Sequence, residues 1–348
     1  RAANVLGKIK LAKEYETLAA EIKTAINQEY FTETGRLAIN TQTGYVLALF
    51  MDLAPEEFRS RIIEDLIGRL RKDNISLQTG FVGTPYICRV LSEHGANDLA
   101  YQLLLNEAYP SWLYAVNLGA TTIWERWNSL NPDGSISSTG MNSLNHYAYG
   151  SIVEWIYRHM CGLNPSAGDD RLTGFRHARI APKPDPSLEF ARARYRSPSG
   201  WFESGWEIGE KGHLRFEISI PFNAKATVVL PDAPVSEMLI NEVNSKRGRQ
   251  VEENVELDLY AGQYVIEYQP THPYIEVFNT STPISQLFKN NKVVKAISEV
   301  LPSFASLDEY TLKVIGYASI REMAKTPFLE ITDEQMDELE QLLEDISG

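Results

Sequence analysis

Apolar residues recur along the chain with two different periods, and the period changes twice. Up to about residue 163 it is helical. Ile9, Tyr15, Leu18, Ile22 and Ile26 stand at helical spacing. Tyr45 to Met51 is a compact apolar stretch. Pro55 opens a predicted helix with Phe58, Ile62, Leu66 and Leu70 on one face and Arg and Glu on the other. Pro85 leads into Tyr86, Ile87, Val90 and Leu91, which Gly95 ends. Asn97 is expected to cap the next helix, with Leu99, Leu103 and Leu104 inside, and Ser111 to cap a further one. A last helix is expected from about Ser143 to Met160, stopped by Gly162. The pairs Thr43-Gly44, Thr79-Gly80 and Thr139-Gly140 fall between apolar runs and read as loops. This rhythm suits helical hairpins set in a ring with long loops at one end, where binding groups usually sit. About six or seven helices can be counted, roughly half of a closed double ring.

The second zone, 164–280, has a shorter period. Pro182, Pro184 and Pro186 mark a linker or crossing. Then come short alternating runs at Phe190 to Tyr195, Trp201 to Ile208, Leu214 to Ile220, Ala226 to Leu230, Val255 to Tyr260 and Tyr264 to Tyr268. Turn sequences bound them, which argues for an antiparallel β-sandwich. The third zone, 281–348, is helical again. Thr282-Pro283 reads as a cap followed by a first-turn proline. Ser306 with Glu309, and Thr332 with Gln335, fit capping boxes. Met336, Leu339, Leu343 and Ile346 form an apolar stripe on an acidic last helix. That stripe packs on its own chain or, in the alternative, serves self-association. The fold class is therefore α+β multidomain.

Composition narrows the partners. With 43% hydrophobic and 23% charged residues, the chain has enough apolar matter for two or three domains with real cores. A net charge of −13 disfavours nucleic acid and anionic membrane surfaces, and leaves a neutral sugar open. Cys88 and Cys161 lie far apart in apolar surroundings and read as small buried hydrophobes. No metal or organic cofactor is implied.

The densest chemistry lies in Ser111 to Trp127, where Glu125 stands between Trp124 and Trp127 after a Gly-Ala-Thr-Thr turn. Glycosidases need carboxylates in semi-enclosed sites and aromatic faces against sugar rings. Alternatively, Glu125 pairs with Arg126 or another arginine and braces the loop. Twenty-one residues on, His146 stands near an expected helix start, where an imidazole can donate to sugar hydroxyls. The other reading of His146 is a cap or a packed ring.

Gly119-Ala-Thr-Thr-Ile-Trp-Glu-Arg-Trp127, taken with Ser143-Leu-Asn-His-Tyr-Ala-Tyr-Gly-Ser151, resembles the family 78 glycoside hydrolases, the bacterial α-L-rhamnosidases. Leu77-Gln-Thr-Gly-Phe-Val-Gly-Thr-Pro85, Tyr109-Pro-Ser-Trp112 and Ala261-Gly-Gln-Tyr264 also match that family's patterns. The resemblance covers about residues 1–274 and implies the C-terminal half of such an enzyme. It implies the second part of an (α/α)6 barrel over 1–163, a β-sandwich over 164–280 and a helical extension over 281–348. It further implies an inverting mechanism on a rhamnose-containing glycoside, with Glu125 as general base and His146 contacting the sugar. Trp112, Trp124 and Trp127 become candidate pocket walls.

The family's general acid belongs to an upstream motif that this sequence does not contain. Asp52, Glu56 and Glu57 form an acidic cluster, but at a helix start it reads as dipole compensation. The chain by itself is therefore expected to be inactive. Another (α/α)6 glycosidase and a non-catalytic carbohydrate-binding fragment remain as alternatives.

Overall fold

A computed structural model of the chain describes residues 2–137, 140–166, 174–245, 248–272, 274–308, 311–312, 315–316, 318–326 and 331–347. It divides into two compact units, Arg1–Trp155 and Ile156–Gly348. The 281–348 zone falls in the second unit, together with the sheet.

The first unit is helical: α1 Ala2–Val5, α2 Ile9–Tyr30, α3 Gln42–Phe50, α4 Arg59–Lys72, α5 Thr84–Glu93, α6 Asn97–Leu105, α7 Trp112–Asn117 and α8 Ile152–Trp155. Helix α3 packs on α4 and α5, and α5 packs on α6 and α8. The four-residue spacing in α4 is a buried face, since Ile62, Leu66 and Leu70 have no exposed surface. Each such side chain contributes about 1.5–3 kcal/mol of burial, an upper figure because the unfolded chain is itself partly collapsed. In α5, Pro85 occupies the first turn and Gly95, at φ +83°, follows the end. The apolar stripe of α2 is real but uncovered among the described residues. Ile9, Tyr15, Leu18 and Ile22 are exposed, and in that helix only Ala12 is buried.

Several local expectations shift. Asn97 begins α6 rather than capping it, and its Oδ1 accepts the Ser92 hydroxyl at 2.7 Å. Thr43-Gly44 lies inside α3, whose cap is Thr41. The helix expected from Ser143 starts later, with a 3-10 turn at Ala148–Ser151 leading into α8. Ser143 to Tyr147 is loop, held by side-chain and backbone bonds to a neighbouring segment instead of its own turn. Thr79-Gly80 is loop as expected, whereas Thr139 of the third pair lies outside the described residues.

Among the described residues the second unit contains a nine-stranded, mostly antiparallel sheet: β1 Leu163–Pro165, β2 His177–Ile180, β3 Phe190–Ser197, β4 Gly200–Ile208, β5 Leu214–Leu230, β6 Met238–Ile240, β7 Val243–Ser245, β8 Arg249–Val251 and β9 Asn254–Tyr268. The one parallel pair among the described strands is β2 with β5. The runs read as four separate strands fuse into the two long ones, β5 and β9. The break read between Ile220 and Ala226 is a bulge. Ile220 pairs with Gly262, and pairing resumes at Lys225 with Tyr260, so the ladder skips residues on β5 and continues. Before the bulge β5 pairs with β4, and after it with β2, so one strand serves both halves of the sheet. Inward positions alternate along β5 as Leu214, Phe216, Ile218 and Ile220, all buried. Trp206 and Ser204 of β4 donate to the carbonyls of Met160 and Cys161 at 2.8 and 2.6 Å. Gly162 must be glycine. At φ +76°, a Cβ there would lie 2.1 Å from the Pro182 nitrogen.

The C-terminal helices, α9 Ile284–Leu287, α10 Asn291–Val300, Ile320–Met323 and Asp333–Ile346, build a small core of their own. Pro283 rather than Thr282 takes the cap position of α9. The Thr332–Gln335 capping box forms, and so does an unforeseen one between Ser319 and Glu322. Glu309, the partner expected for Ser306, lies outside the described residues. Leu339 and Leu343 are fully buried in this core, with Met336 and Ile346 packed against it. The last helix therefore spends its apolar stripe within its own chain.

Candidate functional site

The motif-bearing segments of the helical unit are tied to one another by hydrogen bonds. The amide of Glu125 donates to the Ser143 carbonyl at 2.9 Å, and the amide of His146 to the Ile123 carbonyl at 2.7 Å. Thr122 Oγ1 donates to the Leu144 carbonyl. Asn142 Nδ2 donates to the Ser129 carbonyl at 2.9 Å, and Ser129 Oγ accepts the Arg126 amide at 3.1 Å. Residues 122–129 and 142–146, remote in sequence, thus lie zipped together. Trp112 donates its indole N–H to the Tyr149 carbonyl at 2.9 Å, and Trp127 donates to the Thr79 carbonyl at 3.0 Å. The Leu77 amide reaches the Pro110 carbonyl.

Glu125 is partly buried on this zipped segment. Among the described residues, its carboxylate is engaged by no hydrogen bond and no ion pair. A carboxylate that merely braced a loop would hold an arginine or accept backbone amides, because leaving it half-buried and unpaired costs free energy. The acidic cluster upstream behaves in that ordinary way. Asp52 pairs with Lys23 at 3.2 Å and with Arg59, and Glu56 pairs with Arg59 at 3.0 Å.

His146 stacks with two rings. Phe81 stacks on it with centroids 4.9 Å apart and planes 14° apart, and Tyr147 does so at 4.9 Å and 18°. Its Nδ1 accepts the Ala148 amide at 3.3 Å, so the neutral ring carries its proton on Nε2. The ring is packed, as the alternative reading had it, while the cap position of the following turn is Tyr147's, and Nε2–H stays available.

The tryptophans separate. Trp112 and Trp124 are 8% and 4% exposed and sit in the core. Trp127 is partly buried, stacked on Tyr149 with centroids 3.8 Å apart and meeting Trp112 edge-on. Burial, with Tyr109 nearby, holds the Tyr149 phenol above its usual pKa, so it stays neutral. No candidate site residue is legible within 77–85, yet Phe81 stacks on His146 and meets Tyr149. The only signal was that the segment itself matched a pattern. Burial pushes the Cys161 thiol to about 12 and Cys88 higher still, so neither is a reactive thiol.

Among the described residues no group of three or more His, Cys, Asp or Glu side chains could hold a metal. No helix among them is long and apolar enough to cross a membrane.

Residues 1–160 match the family model of the bacterial α-L-rhamnosidase 6 hairpin glycosidase domain, and residues 162–245 that of the bacterial α-L-rhamnosidase C-terminal domain. An α-L-rhamnosidase of Formosa agariphila is 38% identical over 253 residues, 72% of this chain and 27% of that protein. One of Alteromonas sp. is 40% identical over 222 residues, 63% of this chain and 24% of that protein. Among solved structures, Streptomyces avermitilis α-L-rhamnosidase complexed with L-rhamnose superposes with a TM-score of 0.69 at 33% identity, covering 76% of this chain and 25% of that one. The α-L-rhamnosidase of Aspergillus terreus gives 0.67 at 29% identity, covering 77% of this chain and 28% of that one. The chain spans about a quarter of the length of the relatives it matches.

Proposed function

This chain belongs to the bacterial α-L-rhamnosidase family, and on that premise we propose that the complete protein releases terminal α-L-rhamnose with inversion, Glu125 being its general base. The observation that carries the reading is the Glu125 carboxylate, partly buried, fixed through its own amide and otherwise unengaged among the described residues. A base needs that condition, because a carboxylate committed to an arginine has less capacity to take a proton.

The chemistry balances on two carboxyl groups. Glu125 removes a proton from a water molecule, whose oxygen attacks the anomeric carbon as the glycosidic C–O bond breaks. A general acid on the opposite side gives its proton to the departing oxygen. The two groups stand about 6.5–9.5 Å apart in inverting glycosidases, to leave room for the water. We assign the acid to a part of the complete protein upstream of residues 1–348. His146 offers Nε2–H to a hydroxyl of the rhamnose, in a setting whose stacked rings keep the imidazole from turning. The reaction needs no cofactor, and the partner is a rhamnose-containing glycoside.

The test is hydrolysis of 4-nitrophenyl α-L-rhamnoside by the complete protein, with the first-formed anomer followed by proton NMR. β-L-Rhamnose is expected first. Initial release of the α anomer, or no hydrolysis of rhamnosides beside turnover of another nitrophenyl glycoside, overturns the reading.

A further inference from the structure

Two segments far apart in sequence meet at one imidazole, and a third braces both. Loop 77–83 supplies Phe81, whose ring stacks on His146, as does that of the adjacent Tyr147. The loop is itself held by a hydrogen bond. The Trp127 indole N–H donates to the Thr79 carbonyl at 3.0 Å, two residues before Phe81. Trp127 in turn lies flat on Tyr149, with planes 7° apart, and Tyr149 touches Phe81 at 5.5 Å. A closed circuit results: Trp127 fixes the loop, the loop fixes Phe81, and Phe81 fixes the imidazole plane. The Ala148 amide on Nδ1 fixes rotation within that plane.

We propose that Phe81, oriented by Trp127, is a positioning residue that aims the Nε2–H of His146 at the sugar. The inference rests on the reading of His146 as the sugar contact. Phe81 is 46% exposed, so its ring is not needed to fill a core. An unclamped imidazole could turn about its side-chain bonds and would lose part of its binding energy to the cost of being ordered. Phe81 acts before bond breaking as well as during it, so its loss weakens ground state and transition state together. KM then rises with kcat unchanged. This also recasts Trp127. It serves the site through its indole N–H and its stack on Tyr149, at one remove from the ligand.

The experiment uses the complete protein with four variants: Phe81→Leu, Phe81→Tyr, His146→Ala, and Phe81→Leu combined with His146→Ala. The readouts are KM and kcat for 4-nitrophenyl α-L-rhamnoside, the inhibition constant of L-rhamnose, and the melting temperature. For Phe81→Leu, KM and the inhibition constant are expected to rise up to about tenfold, the scale of one lost hydrogen bond. The melting temperature should be unchanged, and Phe81→Tyr, which keeps the ring, should restore wild-type values. In the His146→Ala background, Phe81→Leu should add nothing, because two residues acting as a unit are not additive. Additive losses overturn the proposal, since Phe81 would then act independently of the imidazole. A silent Phe81→Leu beside a damaging His146→Ala overturns it alone. A silent His146→Ala overturns the reading of His146 as sugar contact, and this inference with it.

Discussion

The amide of Glu125 donates to the carbonyl of Ser143 at 2.9 Å, so the position of the proposed base is set by its backbone and not by its side chain. Replacing the side chain should therefore leave the segment in place. In the complete enzyme, Glu125→Gln is expected to lower kcat by about 10²–10⁴, the usual worth of a general base. Stability should stay within about 0.5 kcal/mol, because no partner of the carboxylate is lost. Steady-state kinetics and thermal melting of the same preparation check both. A near-wild-type kcat removes Glu125 from the role.

Trp127→Phe separates the indole's two contributions. A phenyl ring can still stack on Tyr149, but the N–H to Thr79 disappears and the carbonyl loses its donor. A loss of about 1 kcal/mol is expected from the urea unfolding midpoint, in line with one hydrogen bond. The inhibition constant of L-rhamnose should rise alongside, as for Phe81→Leu. Unchanged inhibition beside lowered stability would confine Trp127 to packing.

Local rules made the helix ends and faces readable, and tertiary contacts hid the rest. Ile62, Leu66 and Leu70 announce their buried face by spacing alone, and Thr332 with Gln335 announces a box that forms. The site was legible as four separate patterns, since each motif carries its own residues. Their joining was not. The stack of Phe81 on His146 crosses sixty-five positions, and no periodicity encodes it. The helix expected from Ser143 fails because Ser143 and His146 give their backbone groups to the 123–125 segment, which withdraws them from a first turn. In the sheet, the gaps between the runs at Ile220 and Ala226 and at Tyr260 and Tyr264 read as strand ends, yet they face one bend through which both strands continue.

The 348-residue chain on its own is expected not to turn over 4-nitrophenyl α-L-rhamnoside. Its upstream carboxylates Asp52 and Glu56 are held in ion pairs with Lys23 and Arg59, which commits their oxygens to cations rather than to a departing glycosidic oxygen. A progress curve with enzyme in large excess, beside the complete protein, is the measurement. Sustained release of nitrophenol would place a general acid within these residues.

Leu343→Ala should behave as a core substitution. The side chain is fully buried among Phe278, Leu287, Val293, Ile297 and Leu339. A loss of about 2–5 kcal/mol is expected for the C-terminal unit, from the missing methyl groups and the cavity they leave. Sedimentation should give the same mass for the variant and its parent, because the stripe faces inward. A change of oligomeric state with unchanged stability would put that stripe at an interface between copies.

The acid limb of the stability curve should carry the mark of Glu256. Its carboxylate on β9 accepts from Arg249 at 2.5 Å and from Arg179 at 3.0 Å, joining strands β8 and β2 through one side chain. The Arg249 bond is the first cause of its lowered pKa and the Arg179 bond adds to it, against the opposing effect of burial. A carboxylate whose pKa is lower folded than unfolded stabilises the fold above the unfolded value of about 4.3, where the unfolded chain would otherwise take up the proton. That contribution is lost as pH falls through the folded value. The melting temperature of Glu256→Gln should therefore lie below that of the parent at neutral pH, and the gap should close as pH is lowered past about 4. A gap that stays constant down to about pH 3 would mean that the glutamate acts by shape rather than by charge.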